Sequence, residues 1–159
     1  MGTDKVLSLI AGYRNETNYT VWENLTGHIA DLNRLLSHTD FHSQFKTFAV
    51  GLFHDVVARL GWEPKPNEQP LDSMLRGLVL AAHGNYGNQD TLRKAKEMFE
   101  AHCVSCEKNE PSPVLADLRG VVYQLAMRQG DMKTFDKIFE VCHIVCRVCA
   151  CMHALYVAR

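Results

Sequence analysis

Six cysteines, all after residue 100, are the residues of this 159-residue chain most suggestive of metal or redox chemistry. Two C-x-x-C pairs, Cys103/Cys106 and Cys146/Cys149, have the spacing within each pair that tetrahedral zinc sites use. The separation between the pairs is longer than in common zinc ribbons, and helix-like sequence without glycine-rich turns surrounds both. Nothing places the chain in an oxidising compartment, where disulfides persist. Buried or incidental thiols are therefore favoured over a thiolate zinc site or a disulfide framework.

Two histidines, His38 and His42, lie at the spacing by which an H-E-x-x-H helix binds zinc. Thr39 stands where the general-base glutamate of that motif belongs. Asp40 has the character of an N-cap for the next helix, which would leave His38 outside it. The sequence thus favours surface or capping histidines over a metal site. No phosphate-binding glycine loop, G-x-S-x-G turn or paired-carboxylate motif stands out.

Three arginines lie beside apolar helical stripes. Arg76 and Arg119 are expected to form ion pairs between neighbouring helices rather than to bind a ligand. Arg34 comes two residues after the core-facing Leu32, so its guanidinium is expected to project towards solvent or a chamber. From the residues alone, Arg34 is an ordinary solvated arginine, or one that pairs with Asp31 or another neighbour.

The elements that position these residues are predicted to be helices throughout, organised around an antiparallel pair between Asn18 and Pro66. Thr20 and Glu23 have the capping-box spacing at the start of the pair, and Gly61 is a plausible C′ glycine at its end. The apolar stripes of the pair comprise Trp22, Leu25, Ile29, Leu32 and Leu36 on the first helix, and Phe41, Phe45, Phe48, Leu52, Val56 and Leu60 on the second.

Helix pairs are predicted to begin near Thr20, Pro70 and Leu115, a repeat of roughly 40–47 residues. That spacing is typical of HEAT- or armadillo-type repeats, so the predicted fold is all-α, an α-solenoid of antiparallel helix pairs. Such arrays present a concave face suited to extended chains.

Composition excludes several classes of protein. Seventeen basic and eighteen acidic side chains give a net charge of −1 without a basic cluster, so no nucleic-acid partner is expected. No apolar run approaches the roughly 18–20 residues of a membrane span, and the amino end lacks the features of a signal peptide. The expected location is the cytoplasm, with no membrane partner.

Five segments of the chain resemble the C-terminal helical domain of the puromycin-sensitive aminopeptidase family, a branch of the zinc gluzincin aminopeptidases. The resemblance runs almost without gaps to about Phe139. The segments are Asn18-Tyr19-Thr20-Val21-Trp22, Leu35-Leu36-Ser37-His38-Thr39-Asp40-Phe41, Leu60-Gly61-Trp62-Glu63-Pro64-Lys65-Pro66, Leu75-Arg76-Gly77-Leu78-Val79-Leu80, and Ala116-Asp117-Leu118-Arg119 with Val122-Tyr123.

The resemblance implies a helical domain that caps a zinc-containing catalytic domain and lines a peptide-holding chamber. The family's H-E-x-x-H and G-A-M-E-N motifs belong to an upstream domain and are not found in this sequence. We therefore expect residues 1–140 to form part of the family's C-terminal helical domain, and residues 141–159 to be a divergent, Cys-rich tail.

The chain alone is expected to be a truncated, non-catalytic piece without cofactor, catalytic residue or metal ligand of its own. Its expected partners are peptides in the full-length enzyme and the parent aminopeptidase itself, and Arg34 is the residue expected to face a peptide. A stand-alone helical protein-interaction module remains the alternative. A small thiolate-metal protein is a third interpretation.

Overall fold

The computed structural model describes residues 3–108 and 110–145, and within those ranges its regular structure consists of helices. The all-α prediction is confirmed at this level. The helices are α1 (Thr3–Ala11), α2 (Tyr19–Leu36), α3 (His42–Leu60), α4 (Pro70–Asn85), α5 (Gln89–Glu107), a 3₁₀ turn (Ala116–Leu118), α6 (Arg119–Gln129) and α7 (Met132–Val145).

The described residues fall into two compact units that divide between Asn88 and Gln89. Helices α1 to α4 belong to the first unit, and α5 to α7 belong to the second. This division lies inside the predicted helix pair that begins at Pro70, so the solenoid of paired repeats stays a prediction. The predicted boundary at residue 140 also stays a prediction, and most of the proposed tail, residues 146–159, lies outside the described residues.

The first unit is built around Trp22, whose side chain is completely buried. Its ring lies 5.5 Å from that of Phe53, and Phe53 in turn stacks on Tyr86 with ring centroids 6.0 Å apart. The indole Nε1 donates a hydrogen bond to the carbonyl of Glu16 at 2.9 Å, so this buried polar atom is satisfied. The surrounding core comprises Ile10, Ile29, Phe45, Ala49, Leu52, Val56, Leu60, Leu75, Val79 and Ala82.

The predicted apolar stripes of α2 and α3 are largely confirmed by this core. On α2, Trp22 and Ile29 are fully buried. Leu25, Leu32 and Leu36 on the same helix are partly buried against the core. Phe41 is the exception, because it precedes α3 and its side chain is 52% exposed. The chain turns between α2 and α3 at this position, so the helical period does not extend to Phe41.

The caps predicted at the starts of α2 and α3 are wrong. Asn18 is the N-cap of α2: its backbone is extended, and its side-chain oxygen accepts from the amides of Thr20 at 2.9 Å and Val21 at 3.4 Å. Thr20 is already helical, so it is not the cap of a box with Glu23. Asp40 is likewise not an N-cap, because α3 begins at His42 and Phe41 precedes it without a side-chain cap.

Helix α3 ends and α4 begins as the sequence predicts. Gly61 follows Leu60 with φ 64° and ψ −165°, a conformation that side chains with a Cβ rarely adopt. Its amide donates to the carbonyl of Val57 at 2.8 Å, which closes the last turn. Pro70 opens α4, where its missing N–H is not needed.

The second unit buries one face of α5 against α6 and α7. The predicted stripe of α5 is confirmed, since Leu92, Ala95, Phe99 and Cys103 are all buried. Asp131 caps α7 by accepting from the amide of Thr134 at 3.0 Å. The opposing core residues are Val114, Leu118, Val122, Tyr123, Leu125, Ala126, Ile138 and Val141.

None of the helices in the described ranges is both long and apolar enough to cross a membrane.

Candidate functional site

Arg34, the predicted peptide-facing residue, lies on α2 with its side chain 80% exposed. Its Nη2 is 2.5 Å from Oδ1 of Asp31, one turn earlier on the same helix. The structure therefore contains the ion pair of the competing interpretation, together with the solvent-directed guanidinium that a peptide contact requires. The peptide contact itself stays a prediction.

The two histidines at zinc-like spacing do not lie on one helix. His38 is exposed in the turn between α2 and α3, whereas His42 is the first residue of α3. Nε2 of His42 is within hydrogen-bond distance, 2.9 Å, of the side-chain oxygen of Asn33. His38 therefore lies outside α3, as expected, although Asp40 does not cap that helix.

The expected interhelical ion pairs of Arg76 and Arg119 are replaced by other contacts. Arg76 is 1% exposed and forms an ion pair with Glu68, which lies in the connection before α4 rather than on a neighbouring helix. Arg119 is partly buried, and its Nε donates to the backbone carbonyl of Val114 at 3.4 Å. Arg76 on α4 thus binds the segment before α4, and Arg119 at the start of α6 binds the segment before the 3₁₀ turn.

A polar cluster that the sequence analysis missed is centred on His102, which lies on α5 and is 1% exposed. Its Nδ1 is 2.7 Å from Oγ of Ser112, and its Nε2 is 2.6 Å from the hydroxyl of Tyr123 on α6. Ser112 belongs to the irregular connection 110–115 between α5 and the 3₁₀ turn. One imidazole therefore joins three segments of the second unit.

The hydrogen bonds of Ser112 favour one arrangement of the imidazole proton. Its Oγ lies 3.1 Å from the carbonyl oxygen of Val114 and 3.1 Å from the amide of the same residue. A hydroxyl has one hydrogen, and the carbonyl of Val114 can only accept it. When the hydroxyl donates to Val114, Nδ1 of His102 donates to Ser112, and Nε2 is left to accept from the phenol of Tyr123.

This arrangement gives each nitrogen of a neutral imidazole a hydrogen-bond partner. Burial lowers the pKa of His102 below its ordinary value, and the nearby guanidinium of Arg119 lowers it further. Both effects disfavour the imidazolium, because it would lose its hydration and face a like charge.

The thiol beside this cluster is not placed to act as a nucleophile. Sγ of Cys106 is 3.8 Å from Nδ1 and 3.7 Å from Nε2 of His102, so it is not aligned with either nitrogen in particular. Burial raises the pKa of Cys106, and it raises the pKa of Cys103 to about 11. Reactive cysteines require the opposite shift. The second C-x-x-C pair, Cys146/Cys149, lies outside the described residues.

The described residues do not fit zinc. Between residues 3 and 145, residue 109 apart, no group of three or more His, Cys, Asp or Glu side chains is arranged to hold a metal ion. Cys106 and His102 are neighbours, but both nitrogens of His102 already have hydroxyl partners. The cluster connects backbone segments and offers no open coordination position.

The sequence contains one signal that points to His102. It follows Phe99 by three residues and precedes Cys103, so it interrupts the apolar stripe of α5 with a polar group. A buried polar side chain needs hydrogen-bond partners. Neither Ser112 nor Tyr123 is a helical neighbour of His102 along the chain, so their role becomes evident only once α5 and α6 are packed.

Comparison with known proteins identifies the family. Residues 1–143 match the ERAP1-like C-terminal domain. The chain belongs to this family. Over 141 residues it is 32% identical to Aminopeptidase M1 of Arabidopsis thaliana, a match that covers 86% of this chain and 16% of the relative.

Further relatives agree with the resemblance stated above, which is thereby confirmed. Puromycin-sensitive aminopeptidase of Caenorhabditis elegans is 28% identical over 138 residues, covering 85% of this chain and 14% of that protein. Aminopeptidase 2 of Candida albicans is 25% identical over 141 residues, covering 87% of this chain and 15% of that protein. The chain thus spans about 14–16% of the length of these relatives.

Proposed function

We propose that this chain serves a zinc aminopeptidase as part of its C-terminal helical domain. In that role it caps the catalytic domain and helps to bind peptides during removal of the N-terminal residue. The observation that supports this role is the family match, which extends over residues 1–143. The zinc and the catalytic groups would come from the catalytic domain of the parent enzyme, in the cytoplasm, and this chain would supply only binding surface.

Arg34 is the residue that we propose contacts the peptide. Its ion pair with Asp31 is exposed on both sides, at 80% and 61%, so the energy of that pair is small and a peptide carboxylate can replace it. A guanidinium binds a carboxylate through two parallel hydrogen bonds, which suits the C-terminal end of a peptide.

The test uses the Arabidopsis relative with its matching region replaced by residues 1–143 of this chain. In that chimera, Arg34→Ala should raise KM for long peptides by about 3–10-fold, as expected for one charge-assisted contact near the surface. The KM of a single-residue chromogenic substrate should not change, because that substrate does not reach Arg34. Activity on the chromogenic substrate also shows that the chimera is assembled.

Arg93→Ala is the matched control. Arg93 is likewise an exposed arginine paired with carboxylates of its own helix, Asp90 and Glu97. It should leave KM for both substrates unchanged. If Arg34→Ala affects both substrates equally, or neither, Arg34 is an ordinary surface arginine and the peptide contact is wrong.

A stand-alone helical interaction module is the second candidate. The observation that favours it is the outer face of α7, where Met132, Phe135 and Phe139 are 71%, 37% and 48% exposed. Exposed apolar groups at this spacing form a stripe typical of a helix that contacts another protein. Calorimetric titration of the chain with the full-length Arabidopsis relative tests this candidate, and Phe135→Ser with Phe139→Ser should abolish any heat of binding.

A further inference from the structure

In the described part of the second unit, the connection 110–115 contacts the helices at three points. The amide of Glu110 donates to the carbonyl of Ser105 on α5, and the other two contacts are made by Ser112 and Val114. Ser112 contacts the imidazole, and the carbonyl of Val114 accepts from Ser112 and from Arg119. Val114 is 2% exposed, so the connection contributes an apolar side chain to the core of the second unit. The backbone of 110–115 is irregular and lacks the repeating hydrogen bonds of the helices on either side.

Burial and the guanidinium of Arg119 both favour the neutral form of the imidazole. On α5 the neighbour is the thiol of Cys106, and on α6 the neighbours are the phenol of Tyr123 and the guanidinium of Arg119. The charges of Lys137 on α7 and of Glu100 and Glu107 on α5 act on Cys103. Among the described residues, no carboxylate is hydrogen-bonded to His102 that could compensate an added proton.

We propose that the neutral imidazole of His102 holds the connection 110–115 against α5 and α6, and that protonation of the imidazole detaches this connection. The arrangement is called the latch below. A charged ring must regain water, and moving the irregular connection exposes it with fewer broken hydrogen bonds than separating two packed helices. The helices stay folded, while Ser112 leaves the ring and Val114 moves with the rest of the connection.

The direction of the pH dependence follows from the lowered pKa of His102. In an exposed ring the ordinary value is 6.5, and in the closed form it is lower. The opened form therefore binds the proton more tightly than the closed form. The closed form is fully favoured above pH 6.5 and loses stability as the pH falls below that value, through the folded-state pKa.

Hydrogen exchange in the complete chain, followed by NMR at about pH 7.5 and about pH 5, tests the latch. After correction for intrinsic exchange, the protection of the Val114 amide should fall by about tenfold at the lower pH. The amide of Phe99, in the middle of α5, should keep its protection. Parallel loss at Phe99 would mean that the helices unfold, and the latch would be wrong.

The variant His102→Gln places a neutral group with a donor and an acceptor at the same position. Its Val114 protection should be the same at both pH values. His28→Gln is the control, because His28 is an exposed histidine on α2 in the first unit, and it should behave as the wild type does. A wild-type chain without pH dependence, or a pH dependence retained in His102→Gln, would overturn the proposal.

If His102→Gln does not fold, the wild-type chain alone still decides. The ring resonances of His102 give its titration midpoint, and the Val114 amide gives the midpoint of release. Coincident midpoints support the latch. The latch is contradicted if the pH midpoint of release coincides with the titration midpoint of another histidine, or lies well away from that of His102.

Discussion

At the scale of single residues, the buried ion pair of Arg76 and Glu68 joins the segment before α4 to that helix. Arg76 is 1% exposed and Glu68 is 11% exposed, so both groups have lost most of their hydration. Glu68 also accepts from the amide of Lys65 at 3.1 Å, so its carboxylate joins the backbone of the segment before α4 to Arg76 on that helix. Such a pair adds little net stability when intact, but removing one partner leaves an uncompensated charge.

We predict that Glu68→Ala lowers the free energy of unfolding of the first unit by about 3 kcal/mol, because the guanidinium of Arg76 remains buried without its partner. Urea unfolding followed by tryptophan fluorescence measures this, since Trp22 and Trp62 both belong to the first unit.

Arg34→Ala is the control for this measurement, in the same unit. Its pair with Asp31 is exposed, so the loss should stay below about 1 kcal/mol. An equal loss of unfolding free energy in Glu68→Ala and Arg34→Ala would contradict the prediction, because the buried pair would then contribute no more than the exposed one.

At the scale of helices, the interiors are easier to predict than the ends. The stripe from Trp22 to Leu36 is set by a period of 3.6 residues that repeats over about four turns, so one misplaced residue does not change the prediction. A cap depends on one side chain and on the backbone angles at one residue. Asn18 and Thr20 are both good capping residues by type. The extended backbone at Asn18, with φ −79° and ψ 127°, makes it the cap of α2, and residue types do not contain that information.

We predict that Asn18→Ala destabilises the first unit by about 1 kcal/mol, since the amides of Thr20 and Val21 lose their acceptor. Thr20→Ala should change stability by less than about 0.5 kcal/mol, because Thr20 is exposed in the first turn and alanine is the better helix former. The thermal unfolding of both variants, monitored by tryptophan fluorescence, makes the comparison. A larger loss for Thr20→Ala would restore Thr20 as the cap.

At the scale of the whole molecule, the sequence is sufficient for the helical class and the family, but not for the cluster at His102. Helix class follows from local period, and the family follows from residue strings such as Leu60-Gly61-Trp62-Glu63-Pro64. The partners of His102 lie 10 and 21 residues away, in a connection and on another helix. Their meeting depends on how α5 and α6 pack, which no local pattern specifies. The partner of Arg76 was missed for the same reason, because a connection rather than a helix supplies it.

The last prediction concerns the isolated chain, which should release no N-terminal residue from any aminoacyl substrate. Peptide hydrolysis in a zinc aminopeptidase needs a metal-activated water and a general base. The sequence has no H-E-x-x-H motif, and the described residues do not form a group that could hold the metal. The neutral ring of His102 is enclosed by two hydroxyl partners and is 1% exposed, so it cannot serve as a base for a bound substrate.

The measurement is release of chromophore from a leucyl substrate by the purified chain, with and without added zinc. The Arabidopsis chimera described above, assayed in the same buffer, is the positive control. Zinc-dependent release that remains after a second purification step, and that disappears when the chain itself is removed by an affinity tag, would contradict the prediction. It would also mean that residues outside the described ranges supply a metal site, and the two cysteines of the Cys146/Cys149 pair would be the first to replace by serine.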